Sequence, residues 1–133
     1  SMLVENDQFI DIPPWWFIEY FNHCMYFDLC KEWTVGHCHR VLLNAQLPSQ
    51  SGCDHTDSDS DNYLSVIYMG HGSSGNTVFE NKTVEWKLGR LIIFNSSMVH
   101  RGEGPDTGYR VSLGAVYPSV PIHKLVSIDG TAP

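Results

Sequence analysis

A chain of 133 residues and 15.0 kDa is long enough for one domain with a real core and too short for a second. Its 8 Lys and Arg are scattered and stand against 15 Asp and Glu, for a formal charge of −7 and a pI near 5.3. That balance offers a phosphate backbone no general attraction and disfavours nucleic acid as a partner.

No apolar run approaches the roughly 18 residues needed to span a bilayer. The first thirty residues lack the basic start and small-residue cleavage site of a signal peptide. The expectation is a soluble cytoplasmic protein with no membrane contact. The 4 cysteines, Cys24, Cys30, Cys38 and Cys53, show no CxxC spacing and are read as reduced thiols, mostly in the core.

In chain order, the first predicted element is a helix over about 14–33, opened by Pro13-Pro14 and continuing "WWFIEYFNHCMYFDLCKEW" without Gly or Pro. Trp15, Ile18, Phe21, Met25 and Leu29 recur at three- and four-residue steps, and this stripe reads as core packing. After Gly36 the texture changes to short strand-like segments: "HCHRVLLNAQL", "NYLSVIYM", "NTVFE", "TVEWKL", "RLIIFN", "YRVSLGAVY" and "HKLVSI". Turn residues separate them at Pro48, Gly52, Gly70 to Gly75, Gly89, Gly102 to Gly108 and Pro118. One helix feeding a series of hairpin-spaced strands predicts a mainly β fold, an antiparallel sandwich or jelly roll with helical support.

The segment "DHTDSDSDN", Asp54 to Asn62, raises the question of a metal. Asp57, Asp59 and Asp61 fall at the first, third and fifth positions of a calcium loop. That loop also needs glycine at its sixth position and a bidentate glutamate at its twelfth, and the residues there are Asn62 and Tyr68. Zinc has competent ligands in His37, Cys38, His39, Cys53 and His55, but their spacing matches no common structural zinc pattern. A third reading pairs His55 with Asp57 on one face of an extended segment and takes His100, at the end of "GRLIIFNSSMVH", as a second histidine. Two histidines and one carboxylate would leave three positions open on Fe(II). Arg110 and Ser112, two apart on a later strand, share a face and could hold a carboxylate, for which a planar, permanently charged guanidinium is suited.

The combination of "HTD" at 55–57, "LSVIYMGHGSSGNTVF" at 64–79, "GRLIIFNSSMVHRGEG" at 89–104 and "YRVSL" at 109–113 resembles the Fe(II)- and 2-oxoglutarate-dependent oxygenases, within them the prolyl-4-hydroxylase-like branch with its small phage and bacterial members. The resemblance runs from about Val35 to Tyr117. It implies a single domain over 1–133 with a double-stranded β-helix (jelly-roll) core at about 35–118 and an N-terminal supporting helix. It also implies Fe(II), with His55, Asp57 and His100 as its ligands, 2-oxoglutarate and O2. Arg110 and Ser112 would bind the distal carboxylate of 2-oxoglutarate, with Tyr68 a candidate for the same carboxylate and Asn44 a candidate facing the cosubstrate.

The implied activity is hydroxylation of a substrate C–H, since the intact Asp57 argues against halogenation. A prolyl residue of a peptide or protein is the leading substrate, with a free amino acid or other small molecule behind it. The acidic loop would form a substrate-side rim suited to a basic peptide. Two departures from the family pattern stand out: its double glycine is Gly75-Asn76 here, and Arg110 stands where the collagen prolyl-4-hydroxylases use lysine. A catalytically silent jelly-roll binding module is the rival from another class, and nucleic-acid demethylation a third reading that lacks the positive surface it needs.

Overall fold

In the computed structural model the described residues are 2–5, 8–9, 36, 38–122 and 124–129, and they contain ten strands and no helix. The strands are β1 (Met2–Glu5), β2 (Gln8–Phe9), β3 (Arg40–Gln46), β4 (Tyr63–His71), β5 (Thr77–Phe79), β6 (Thr83–Val84), β7 (Arg90–Asn95), β8 (His100–Gly102), β9 (Arg110–Pro118) and β10 (Val126–Asp129). The helix expected over about 14–33 lies outside the described residues. None of the helices among the described residues is long and apolar enough to cross a membrane, since there are none.

Seven strands form one sheet in the order β10-β7-β4-β9-β3-β1-β2, and three form a second, β6-β5-β8. Every pairing is antiparallel. Sequence neighbours such as β3 and β4 are therefore not partners: β9 lies between them, registered against both. This crossed order brings the ends of distant segments together on one face, as a jelly roll does.

Alternation along the central strands creates two separate cores, because successive side chains leave a strand on opposite faces. Leu64 and Val66 of β4, Leu91 and Ile93 of β7, and Leu113, Ala115 and Tyr117 of β9 belong to one cluster with Val41 and Ile122. The intervening Met69, Ile92 and Phe94 join Phe79, Val84 and Trp86 in the other, so that β5 and β6 of the small sheet and the segment after them close over the large one. The unbroken run "LIIF" in β7 is thus buried on both faces, which is why it reads as continuous rather than alternating.

At the sheet edge, Asp129 of β10 accepts from Lys87 Nζ at 2.8 Å and from Arg90 Nε at 2.7 Å. Those two cations hold its carboxyl well below the ordinary carboxylate range, chiefly through the hydrogen bond from Arg90.

Phe94 has no exposed surface and meets Phe79 edge to face, with ring centroids 4.9 Å apart. Phe94→Ala is expected to cost about 3–5 kcal/mol of stability. A thermal or denaturant melt checks this, and a loss under about 1 kcal/mol would show that the cluster around Phe79 and Trp86 collapses to fill the space.

Candidate active site

His55 stands outside the named strands, in the acidic segment, and is joined to the first residue of β8 by an antiparallel bridge. His55 N–H donates to His100 O at 3.0 Å, and His100 N–H to His55 O at 2.9 Å. The bridge sets the two imidazoles side by side, their centroids 4.4 Å apart. Each ring is then turned by the same local device: Nδ1 lies at hydrogen-bond distance from the carbonyl two residues earlier, Cys53 O at 2.9 Å for His55 and Met98 O at 3.0 Å for His100. A carbonyl can only accept, so Nδ1 carries the proton and Nε2 presents its lone pair.

Both Nε2 atoms face the same oxygen. Asp57 Oδ1 lies 3.5 Å from His55 Nε2 and 3.6 Å from His100 Nε2. The other oxygen of that carboxylate is occupied, since Ser65 Oγ donates to Oδ2 at 2.6 Å and is itself 2.7 Å from Ser96 Oγ. The Asp57 backbone N–H is tied to Ser96 O at 2.9 Å. Three ligand atoms within 4.8 Å of one another thus converge with their free lone pairs inward, the one such group of His, Cys, Asp and Glu among the described residues.

The donor set fits an ion of intermediate hardness: two neutral imidazoles and one carboxylate, all from one side, leave the remaining positions open. His100 is 4% exposed and packed against Phe79 and Phe94. Burial pushes its pKa below the ordinary histidine value, an effect that Asp57 and the Met98 carbonyl only partly offset. The ring is therefore neutral, and competent as a ligand, at neutral pH.

These ligands line a cavity of about 280 Å³, whose floor is the inner face of β3 and β9. Register places Asn44 opposite Ser112 and Gln46 opposite Arg110. Arg110 is 3% exposed. Its Nη1 donates to Gln46 Oε1, its Nη2 to Thr77 Oγ1 at 3.2 Å, and its guanidinium carbon lies 5.0 Å from the centre of the Trp86 ring. No ion pair reaches it among the described residues, and its buried Nε has no partner. Burial lowers its pKa, with Glu103 the acid that opposes this through space. A guanidinium stays charged even so, and a buried charge with spare donors and no counter-ion is a seat for an anion.

Glycine is required where the chain passes this guanidinium. At Gly75, with φ +103°, a Cβ would sit 2.8 Å from Arg110 Cδ and 2.6 Å from Glu103 O, and at Gly102 it would collide with Arg110 Nη1. Gly102→Ala is expected to cost about 1–3 kcal/mol by forcing Arg110 out of its seat. An unchanged melting temperature would show instead that the arginine yields without cost.

The structure brings His55, Asp57, His100, Arg110, Ser112 and Asn44 to this one cavity. It does not bring Tyr68. Ile67 lines the cavity, so its neighbour on β4 points to the opposite face, where its Cα partners Leu91 and Leu113 belong to the cluster built with Val41 and Ile122. A one-residue step along a strand is a change of face. Gln46, Thr77, Ser65 and Trp86 went unread in the sequence. Thr77 lies inside the "GNTVF" segment and Gln46 two residues beyond Asn44, but their value depends on which strands pair.

The rival metal readings come apart among the described residues. Cys38 Sγ lies 3.3 Å from Arg40 O, His39 packs on Tyr63 with centroids 5.4 Å apart, and Cys53 is exposed and contributes its carbonyl to His55. In the acidic loop, Asp54 pairs with Arg101 at 3.0 Å, and Asp61 accepts from Ser97 Oγ at 2.5 Å. Asp59 lies 3.5 Å from Thr56 Oγ1. Only Asp57 of the four turns inward to the cavity.

No protein-family model matches the sequence, and no curated protein matches it either. Among solved structures the chain is similar to an oxidoreductase of the 2OG-Fe(II) oxygenase family from Burkholderia pseudomallei, with a TM-score of 0.61 and 18% identity over 88% of this chain. The chain spans 63% of the length of that structure. The likeness shows a shared fold.

Proposed function

We propose that the protein is an Fe(II)- and 2-oxoglutarate-dependent oxygenase that hydroxylates a substrate C–H. One observation carries the reading: the convergent Nε2 atoms of His55 and His100 and Oδ1 of Asp57 open into the same cavity as a buried arginine with no counter-ion among the described residues. The resemblance in the HxD, His and RxS segments and the shared fold support the same assignment. The overall reaction is RH + O2 + 2-oxoglutarate → ROH + succinate + CO2. O2 is the oxidant: bound iron would activate it, and the 2-oxo acid would supply two of the four electrons as it is converted to succinate and CO2.

The chain's share is positional. His55, Asp57 and His100 would hold iron from one side, with Ser65 and the two backbone carbonyls keeping those ligands oriented. Arg110 would take the distal carboxylate of 2-oxoglutarate, with Ser112 and Thr77 beside it, and Gln46 would hold the guanidinium square to the cavity. Fixing the far end of a diacid points its 2-oxo end at the metal. Leu42 and Ile67 supply apolar wall that limits water. Asn44 faces the cosubstrate space, and Tyr68 has no part. Peptidyl proline as substrate rests on the sequence resemblance alone.

The test is an anaerobic titration of the protein with Fe(II) and 2-oxoglutarate, following the visible absorption of the metal–2-oxo acid chelate, then admission of O2 and assay for succinate. The band is expected in the wild type and absent in Asp57→Ala. Metal-loaded protein that gives neither band nor succinate would instead be a metal-binding module.

A further inference from the structure

Arg40, the first residue of β3, takes no part in holding iron or cosubstrate in that assignment, yet it lines the same cavity. Its side chain is 29% exposed. Its contacts run through Nη2 to one residue, 3.5 Å to the backbone oxygen of Asp57 and 3.8 Å to Oδ1. Both are at the long limit of such contacts, and Nε and Nη1 have no hydrogen-bond partner among the described residues. The guanidinium is therefore held beside the metal ligands with most of its donors unspent.

Arg40 and Arg110 mark different ends of the cavity floor. The cavity face of β3 runs Arg40, Leu42, Asn44, Gln46, and Gln46 is the residue that holds Arg110. Six residues of strand put roughly 20 Å between the two ends of that row. Arg110 lies at the end closed by Gly75 and Gly102, and Arg40 at the end beside Asp57. A diacid anchored at Arg110 and ending on the metal leaves Arg40 to whatever else enters.

The acidic loop does not cancel this charge. Asp54 and Asp61 are engaged by Arg101 and Ser97, and Asp59 is turned to Thr56. Asp57, which does face the cavity, is engaged by Ser65 and shared with the metal site. Among the described residues of this rim, the charged group with the most donors left for a substrate is a cation, inside a protein whose formal charge is −7. One guanidinium with a carboxylate nearby suits a monoanion and not a doubly charged phosphate.

We infer that Arg40 is the substrate anchor and that the substrate is a small carboxylic acid, its carboxylate held by Arg40 and a C–H of its carbon skeleton turned to the metal. The inference rests on the oxygenase reading of the site. It replaces the acidic rim suited to a basic peptide with a cationic seat for an acid.

The experiment uses protein loaded anaerobically with Fe(II) and 2-oxoglutarate and reads perturbation of the chelate absorption. The probes are free amino acids including L-proline, the corresponding primary amides, and a lysine-rich peptide. Acids are expected to perturb the band and their amides to bind more weakly by about tenfold or more, the scale of one charge-assisted hydrogen-bonded pair. Arg40→Leu should weaken the acids by a similar factor while the affinity for 2-oxoglutarate stays within about threefold, and Arg40→Lys should recover part of the loss. Binding of amides or the peptide as tightly as the acids, an unaffected Arg40→Leu, or the absence of any binding acid would overturn the inference. So would loss of 2-oxoglutarate itself in Arg40→Leu, which would place Arg40 on the cosubstrate. Failure of the wild type to form the chelate at all would strike the oxygenase reading instead.

Discussion

Replacing His100 with alanine is expected to abolish tight Fe(II) binding. The loss should exceed the roughly 10–100-fold that follows from removing a partner which only orients a ligand. His100 supplies one of three donor atoms, its Nε2 is directed at Asp57 Oδ1, and its ring is clamped by Phe79, Phe94 and the Met98 carbonyl, so no nearby side chain can take its place without moving the core. Equilibrium titration with Fe(II) under argon measures it, with circular dichroism to establish that the variant is folded. Affinity within a few-fold of wild type would remove His100 from the metal site. The same residue carries a pH signature in metal-free protein. Burial lowers its pKa in the fold, so the unfolded chain binds the proton more readily. Stability is then intact above the unfolded value of about 6.5 and falls as pH drops from there toward the folded value. Melting temperatures taken from about pH 7.5 to about pH 5.5 should show this slope, and His100→Gln should flatten it. A slope unaltered by the substitution would assign the acid sensitivity to other groups.

Arg110→Ala is expected to raise the dissociation constant for 2-oxoglutarate by about thirtyfold or more while sparing the metal. The estimate follows from the ~2 kcal/mol or more that truncating one partner of a buried, hydrogen-bonded charge pair costs. The guanidinium is buried, bonded by Gln46 and Thr77, stacked over Trp86 and still has an unpartnered Nε, so a carboxylate arriving there completes an arrangement already paid for in desolvation. Arg110→Lys should be a poor substitute, because an ammonium cannot meet a carboxylate with two parallel donors. The check is a pair of titrations on one sample, Fe(II) first and 2-oxoglutarate second. Unchanged cosubstrate affinity would sink the anchor assignment, whereas loss of both would mean that the cavity floor had collapsed.

The chemistry at the cavity was legible locally. His55 and Asp57 are close in sequence, His100 follows, after a short polar turn, a strand run that reads as buried on both faces, and Arg110 with Ser112 shows the period-two spacing that puts both on one face. Composition and strand spacing also carried the mainly β fold, because turn residues and β-branched runs act over a few residues. Tyr68 marks where that reading stopped. Its place in a segment of family-like sequence suggested the cosubstrate, but which face of β4 turns inward depends on register against β7 and β9, and that register sends it outward. The short strand β8 was likewise unreadable, since its partners are β5 and a single bridge to His55 rather than anything nearby in sequence.

By itself the sequence singled out the candidate metal donors, the arginine and the strand character of the chain, all properties of single residues or of their neighbours. Only the tertiary structure decided that Asp57 alone of the acidic loop turns inward, that Gln46 and Thr77 hold Arg110, and that Arg40 stands beside Asp57 at the cavity, touching it through Nη2 alone. The physical reason is that each of these rests on pairing across β3, β9 and the small sheet. Such pairing is set by burying two faces at once, and no local stretch of residues encodes it.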